Sequence, residues 1–196
     1  MNKTYIKYGI VGLVLVIIIF SAFGNYNGMV DMEENAITQW SNVESSYQRR
    51  ADLIPNLVNT VKGYAEHEKE TLTEVMEARA KATSVNIDAS KLTAESIKQF
   101  QAAQTGISGA LGKLMMVSER YPDLKANQNF LELQAQLEGT ENRINVERNK
   151  FNEAVGGFNK KIKKIPGKLY NLLYGFEPMV RFDAQEGSEN APEVQF

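Results

Sequence analysis

The feature that most constrains this chain is an apolar stretch over residues 6–23, in which Lys7 is the only charged side chain. As an α-helix this stretch is about 27 Å long, close to the ~30 Å hydrocarbon core of a bilayer. No later stretch is comparably apolar. The sequence therefore predicts an N-terminal transmembrane anchor over residues 1–26, a folded domain over residues 27–176 and an acidic tail over residues 177–196.

The charges that flank the apolar stretch predict its orientation. Lys3 precedes it and Lys7 lies at its very start, whereas Asp31, Glu33 and Glu34 follow it. Basic residues stay preferentially on the cytoplasmic side of a membrane. We therefore expect a single-pass protein with its N-terminus in the cytoplasm and its domain on the opposite side.

A cleaved signal peptide is the alternative, because the uninterrupted apolar block over residues 9–20 also has signal-peptide length. The only small-x-small site near its end, residues 22–24, is a poor cleavage site, and a helical pattern follows without a linker. These observations favour an anchor.

Composition excludes most kinds of active site. The chain has no cysteine and one histidine, His67, so disulfides, thiolate metal sites and cysteine nucleophiles are absent. A zinc-protease motif starting at His67 would need a second histidine at position 71, which is Thr71. A net charge of −2 argues against a nucleic-acid partner. We expect no catalytic, cofactor or metal site, and no enzyme.

Apolar residues recur every three or four positions over residues 27–64, which is typical of a helix in a bundle or coiled coil. Pro55 predicts a kink in this helix. Residues 66–82 are also helical in pattern, and the sequence favours one continuous helix over residues 27–82, about 85 Å long. A reversal at Gly63 is the alternative.

Two further helices are predicted. Turn-forming residues over 83–91 separate the first helix from the second, for which Thr93 is the expected N-cap and Pro122 the end. A third apolar stripe covers residues 124–165, and a short helix covers 168–174. The predicted fold is all-α: a transmembrane helix followed by an up-and-down antiparallel bundle of three or four helices. The tail is compatible with a small β-hairpin or with no regular structure.

Charged residues interrupt the apolar stripes and predict a structural polar layer. The residues are Arg50, Asp52, Glu141 and Arg148. Charges in a helical seam are costly unless they are paired, and pairs can fix helix register. We expect Arg50 to pair with Glu141, and Arg148 to pair with Asp52 or another carboxylate. An acid–base site is the less favoured alternative.

Asparagines mark one side of the third helix. They are Asn142, Asn145, Asn149, Asn152 and Asn159. Because asparagine is a poor helix former, we expect an interface, within the bundle or between subunits. Ordinary solvated polarity is the alternative. At the end of this helix, five lysines lie over residues 160–168. Either their charges are stabilised by the negative end of the helix dipole, or they contact anionic lipid headgroups.

The run over residues 48–58, QRRADLIPNLV, resembles the signature of the LemA family of bacterial envelope proteins. The resemblance covers nearly the whole chain and includes residues 61–65 and 121–127. Further matching positions are Thr140, Glu141, Arg148, Asn152, Asn159, Pro166, Gly175 and Phe176. Phe151 and Phe158 depart from it, since the family often has tyrosine there. The resemblance implies an N-terminally anchored helical bundle with no established enzymatic activity and no cofactor.

Related proteins occur beside membrane metalloproteases and in membrane-shaping systems. Our first hypothesis is a structural scaffold protein of the bacterial cell membrane, with its domain periplasmic or extracellular. It would contact membrane lipids and form a homo-oligomer through its apolar stripes and asparagine face. The second hypothesis is a binding adaptor that presents or regulates a membrane protein partner such as a protease, with the acidic tail as docking segment.

Overall fold

A computed structural model describes residues 3–182 of the protein, and these residues contain helices but no β-strand. The all-helical prediction is confirmed. The helices are α1 (Lys3–Lys62), α2 (Lys69–Thr83), α3 (Ala94–Ser118), α4 (Pro122–Lys125), α5 (Gln128–Lys163) and α6 (Gly167–Tyr174). The second arm of the hairpin considered above, residues 194–196, lies outside the described residues.

Helix α1 joins the apolar stretch to the folded domain without interruption. Its 60 residues make it about 90 Å long. Within it, an 18-residue window has a mean hydropathy of 2.4 and no buried residue. The predicted long apolar N-terminal helix is therefore confirmed, with the length and composition needed to span a membrane. Pro55 lies inside α1, which continues through it to Lys62.

The predicted continuity of one helix over residues 27–82 is wrong, because the chain reverses over residues 63–68. Helix α2 then packs back against α1, where Arg79 Nε donates a 2.7 Å hydrogen bond to the carbonyl of Ala51. Ala65, inside the turn, is 1 % exposed. Tertiary burial of this turn stabilises a reversal that the local helical pattern does not reveal.

Local signals position the later helices. Thr93 caps α3 as predicted, and it forms a capping box with Ser96. The third long helix begins later than residue 124, because the short helix α4 intervenes. Asn127 caps α5 by accepting a 3.0 Å hydrogen bond from the backbone N–H of Phe130.

The half of the domain that lies farther from the apolar stretch, which we call the anchor-distal half, contains parts of the longer helices α1, α2, α3 and α5 and the short helix α4. Helix α2 packs along α3 and α1, while α5 packs along α1. Small and aliphatic side chains dominate the core between them, including Ile54, Leu57, Val75, Ile107 and Leu114. All five are at most 1 % exposed.

The anchor-proximal half is organised around aromatic rings. Trp40 is fully buried and lies 5.4 Å from the ring centroids of both Phe100 and Phe151. Phe182 stacks on it at 5.5 Å. Phe182 belongs to the non-helical segment over residues 176–182, which we call the strap. Gly175, with a φ of 74°, ends α6 in the left-handed conformation that glycine tolerates, and the strap begins there.

Candidate functional site

The most buried charge in the domain is Arg50, on α1. Its side chain is 3 % exposed. Nη1 donates to Glu141 Oε2 on α5 at 2.7 Å and to Ser108 Oγ on α3 at 3.1 Å. Nη2 donates to the backbone carbonyl and to Oε1 of Gln104 at 3.2 and 2.8 Å. One guanidinium therefore connects three helices at a single level of the domain.

The electrostatics of this cluster are asymmetric. The Glu141 side chain is 44 % exposed, so its carboxylate keeps contact with solvent. Arg50 is instead surrounded by neutral oxygens and one half-exposed anion. The Arg50 guanidinium donates four hydrogen bonds to three residues, which ties α1 to α3 and to α5.

Aromatic rings enclose the cations of this region. The Arg50 guanidinium lies 5.1 Å from the centroid of the Tyr47 ring, and that of Arg148 lies 4.7 Å from the Phe182 ring. Burial raises the pKa of the Tyr47 hydroxyl above its ordinary value, although the two arginines oppose this shift. Tyr47 therefore stays neutral over the physiological pH range.

The fourth residue of the predicted polar layer lies elsewhere. Asp52 is exposed: it accepts a 2.8 Å hydrogen bond from Gln48, one turn earlier on α1, and lies 4.0 Å from Arg79 on α2. Arg148 lines the same cavity as Arg50 and Glu141 and also contacts Phe182 of the strap. The cluster thus contains Arg50 and Glu141 as drawn from the sequence, together with Gln104 and Ser108, which sequence reasoning missed. Polar side chains within the apolar stripe of α3 were the available signal, although only Gln104 is buried and Ser108 is exposed.

Two of the five predicted interface asparagines hold the strap. Asn152 donates to the carbonyl of Phe182 at 3.1 Å and accepts from its N–H at 2.9 Å. Asn159 makes the same pair of bonds with Met179, at 2.8 and 2.9 Å. Asn171 on α6, which the sequence analysis did not select, does so with Phe176, both at 2.9 Å. We call these three residues the asparagine clamps.

The distance between Asn152 and Asn159 along a helix matches the distance between their partners along an extended segment. Asn152 and Asn159 are seven residues apart on α5, about 10.5 Å along a helix. Their partners, three residues apart in extended chain, span about 10 Å. Each primary amide supplies one donor and one acceptor, as a neighbouring β-strand would. The remaining asparagines of the set, Asn142, Asn145 and Asn149, are exposed.

Within residues 3–182 no group of three or more histidine, aspartate and glutamate residues is arranged to hold a metal ion.

Comparison with known proteins places these features in a family. The profile of the LemA family matches residues 39–196, about four-fifths of the chain. The chain belongs to the LemA family. The LemA match includes Trp40, the Arg50 cluster and the asparagine clamps, and it begins after the apolar stretch.

Curated relatives carry two names. The chain is 27 % identical to magnetosome protein MamQ of Magnetospirillum gryphiswaldense over 189 residues, covering 87 % of this chain and 69 % of that protein. It is 28 % identical to MamQ 2 of Paramagnetospirillum magneticum, covering 84 % and 67 %. It is 26 % identical to protein LemA of Metamycoplasma hominis, covering 76 % and 65 %. Neither the LemA family description nor these names denotes an enzyme.

Proposed function

We propose that this LemA-family protein is a membrane-anchored, non-enzymatic structural protein of the bacterial envelope that self-associates laterally in the plane of the membrane. The observation that carries the proposal is the continuity of α1, which serves both as the apolar N-terminal helix and as the central helix of the domain. A domain joined rigidly to its anchor presents the same faces at the same height in every copy. Such pre-orientation lowers the entropic cost of contacts between neighbours.

Of the two surfaces expected to mediate self-association, only part of the asparagine face is exposed. The apolar stripes of the soluble helices are buried inside the chain, as Trp40 and Ile54 illustrate. The outer face of α5 is available instead. It presents Asn142, Asn145 and Asn149 beside Val146, which is 50 % exposed. The side chains of the anchor are exposed as well, and Leu13 is 62 % exposed.

Similarity to proteins named for the magnetosome supports a role in organising a cellular structure rather than in small-molecule turnover. The first experiment is light scattering on the intact protein in detergent, beside a chain starting at Asn27. The proposal expects a discrete oligomer that requires the anchor. A monomer in detergent, together with no cross-linking in membranes, would overturn it.

Cross-linking in membranes can test the α5 face directly, because the chain has no native cysteine. In reconstituted vesicles, Asn145→Cys should form a disulfide-linked dimer when an oxidant such as copper phenanthroline is added, and a thioether-linked dimer with a bis-maleimide. Glu77→Cys is the matched control, since Glu77 is exposed on α2, which packs with α1 and α3 rather than with α5. Equal cross-linking at both positions would indicate random collision instead of a defined interface.

The strap supports a second candidate function, that of an adaptor for a membrane partner such as a protease. The clamp residue Asn152 fixes Phe182 against Trp40. Trp40 lies about 27 Å along α1 from Ala22. Residues 183–196, which carry three glutamates and one aspartate, follow this fixed point. Deletion of residues 183–196 discriminates between the functions. Loss of a captured membrane protein with unchanged self-association would favour the adaptor.

A further inference from the structure

Helix α6 lies beside the end of the apolar stretch. The Tyr174 hydroxyl donates a 2.9 Å hydrogen bond to the carbonyl of Ala22, which belongs to that stretch. The Tyr174 ring lies 5.0 Å from the Tyr26 ring. If residues 6–23 span a membrane, as the proposed function requires, these contacts place the end of α6 at the membrane surface.

The other end of α6 is fixed against the domain. A Cβ added at Gly167 would lie 2.2 Å from the carbonyl oxygen of Lys161 and 3.1 Å from Met29 Cε, so the helix begins in a contact that only glycine permits. Asn171 ties α6 to the strap through its two hydrogen bonds with Phe176. Helix α6 is therefore held rigidly near the anchor.

Helix α6 presents apolar side chains that nothing within residues 3–182 covers. Leu169, Leu172 and Leu173 are 62, 79 and 81 % exposed, and they share one helical face at spacings of three and four. Ile165, just before α6, is 85 % exposed. Four large aliphatic side chains in water at one end of a domain are unfavourable, and contiguous apolar patches mark contact surfaces.

Lysines surround this apolar face. They are Lys160, Lys161, Lys163, Lys164 and Lys168. Among the described residues none of them forms an ion pair, whereas Lys125 and Lys150 each pair with a glutamate. The dipole of α5 favours cations in its last turn. It does not account for Lys168, which lies in the first turn of α6.

We propose that α6 is a second membrane contact, in which Leu169, Leu172 and Leu173 enter the headgroup–acyl boundary of the bilayer that holds the anchor, while the surrounding lysines bind anionic lipid headgroups. Amphipathic helices with a basic border bind membranes in this way, and tyrosines favour the same depth. This proposal rests on membrane anchoring but not on self-association. On this proposal the anchor and α6 together set the tilt of the domain relative to the membrane.

The depth of α6 can be measured in the full-length protein. Leu172→Cys, labelled with the environment-sensitive fluorophore NBD, is compared with Met116→Cys, whose native side chain is 65 % exposed near the far end of α3. Both proteins are reconstituted into phosphatidylcholine vesicles with and without phosphatidylglycerol. Some vesicles also carry nitroxide-labelled lipids as quenchers. Flotation first establishes that each protein has inserted, which tests anchoring separately.

The proposal expects blue-shifted emission and several-fold stronger lipid quenching at position 172 than at position 116. Emission and quenching equal at the two positions would overturn it. Intermolecular cross-linking of Leu172→Cys without lipid quenching would also overturn it, because a second copy would then cover α6.

Charge recognition is tested by replacing three lysines together. Lys163→Gln, Lys164→Gln and Lys168→Gln, in the Leu172→Cys background, should abolish the increase in quenching that phosphatidylglycerol produces. The control substitutes three exposed lysines remote from α6, namely Lys62, Lys69 and Lys98. An increase of equal size in both variants would contradict headgroup binding by the lysines.

Discussion

The two halves of the domain enclose their cores differently. In the anchor-distal half, four helices surround a core of aliphatic and alanine side chains. In the anchor-proximal half, α2 has ended at Thr83 and only the first turns of α3 contribute, through Ile97 and Phe100, so α1 and α5 lack a full-length helical neighbour there. The strap covers this pair, with aromatic rings beneath it.

This difference shows what a helix supplies that an extended segment does not. A helix satisfies its own backbone hydrogen bonds, and side-chain packing alone can hold it in place. The strap has backbone groups that need external partners. The asparagine clamps provide those partners at Phe176, Met179 and Phe182, where each residue exchanges both a donor and an acceptor bond. The stability of the anchor-distal half therefore depends on side-chain packing, whereas the stability of the anchor-proximal half depends both on packing and on the hydrogen bonds of the asparagine clamps.

The largest effect is expected from Trp40→Ala. Removing a fully buried tryptophan should lower the free energy of unfolding by about 3–5 kcal/mol. Leu57→Ala, at a fully buried site of the anchor-distal half, is the comparison. Because Phe182 stacks on Trp40, only Trp40→Ala should also open the strap locally, seen as faster amide exchange at Met179 and Phe182. Equal strap exchange in both variants would contradict the division into two halves.

The Arg50 cluster should rank next. Arg50→Ala removes a buried cation and leaves the Gln104 oxygen without its donor, which should cost about 3 kcal/mol. Glu141→Gln should cost about 1 kcal/mol, because the amide oxygen still accepts from Arg50 and the other two partners remain. Chemical denaturation of both variants measures the two costs. Similar losses would show that the carboxylate charge, rather than the oxygen network, holds Arg50.

The clamps predict a smaller loss with a distinctive pH dependence. Asn159→Ala should cost about 1–2 kcal/mol through two hydrogen bonds, whereas exposed Asn145→Ala should cost less than about 0.5 kcal/mol. Asn159→Asp places a carboxylate against the carbonyl of Met179. That contact raises the pKa of the new carboxyl in the folded state, so the Asp variant should regain stability as pH falls, and the Ala variant should not. Thermal unfolding between neutral and acidic pH checks both expectations.

Periodic elements of this fold could be predicted from sequence, because an amphipathic helix encodes its own location. Thr93 identified the start of α3, and apolar spacing identified α5. Arg50 and Glu141 were expected to pair, and their charged atoms lie 2.7 Å apart. These inferences need only local patterns and the cost of burying an unpaired charge.

The rest depends on contacts that have no local pattern. The reversal over residues 63–68 is stabilised by the burial of Ala65 and by an ion pair of Glu68. The Glu68 carboxylate lies 3.1 Å from the guanidinium of Arg120, which follows the end of α3. The strap has no periodicity, so nothing in sequence indicates what it binds. Asparagines 152 and 159 were selected as interface residues, yet their partner is a segment that follows them in the same chain.

The smallest effect concerns Glu44, one helical turn after Trp40 in the anchor-proximal half. Burial raises the pKa of its carboxyl in the folded state. A raised folded pKa means that ionisation opposes folding at neutral pH and that this cost disappears as pH falls below the unfolded pKa. Glu44→Gln should therefore slightly raise the Tm at pH 7, and its advantage over the native protein should shrink towards acidic pH. Exposed Glu70→Gln controls for the loss of one negative charge. If both variants gave the same Tm change at every pH, the change in net charge rather than burial beside the aromatic core would be the cause. Glu44 would then not be evidence of a difference between the two halves.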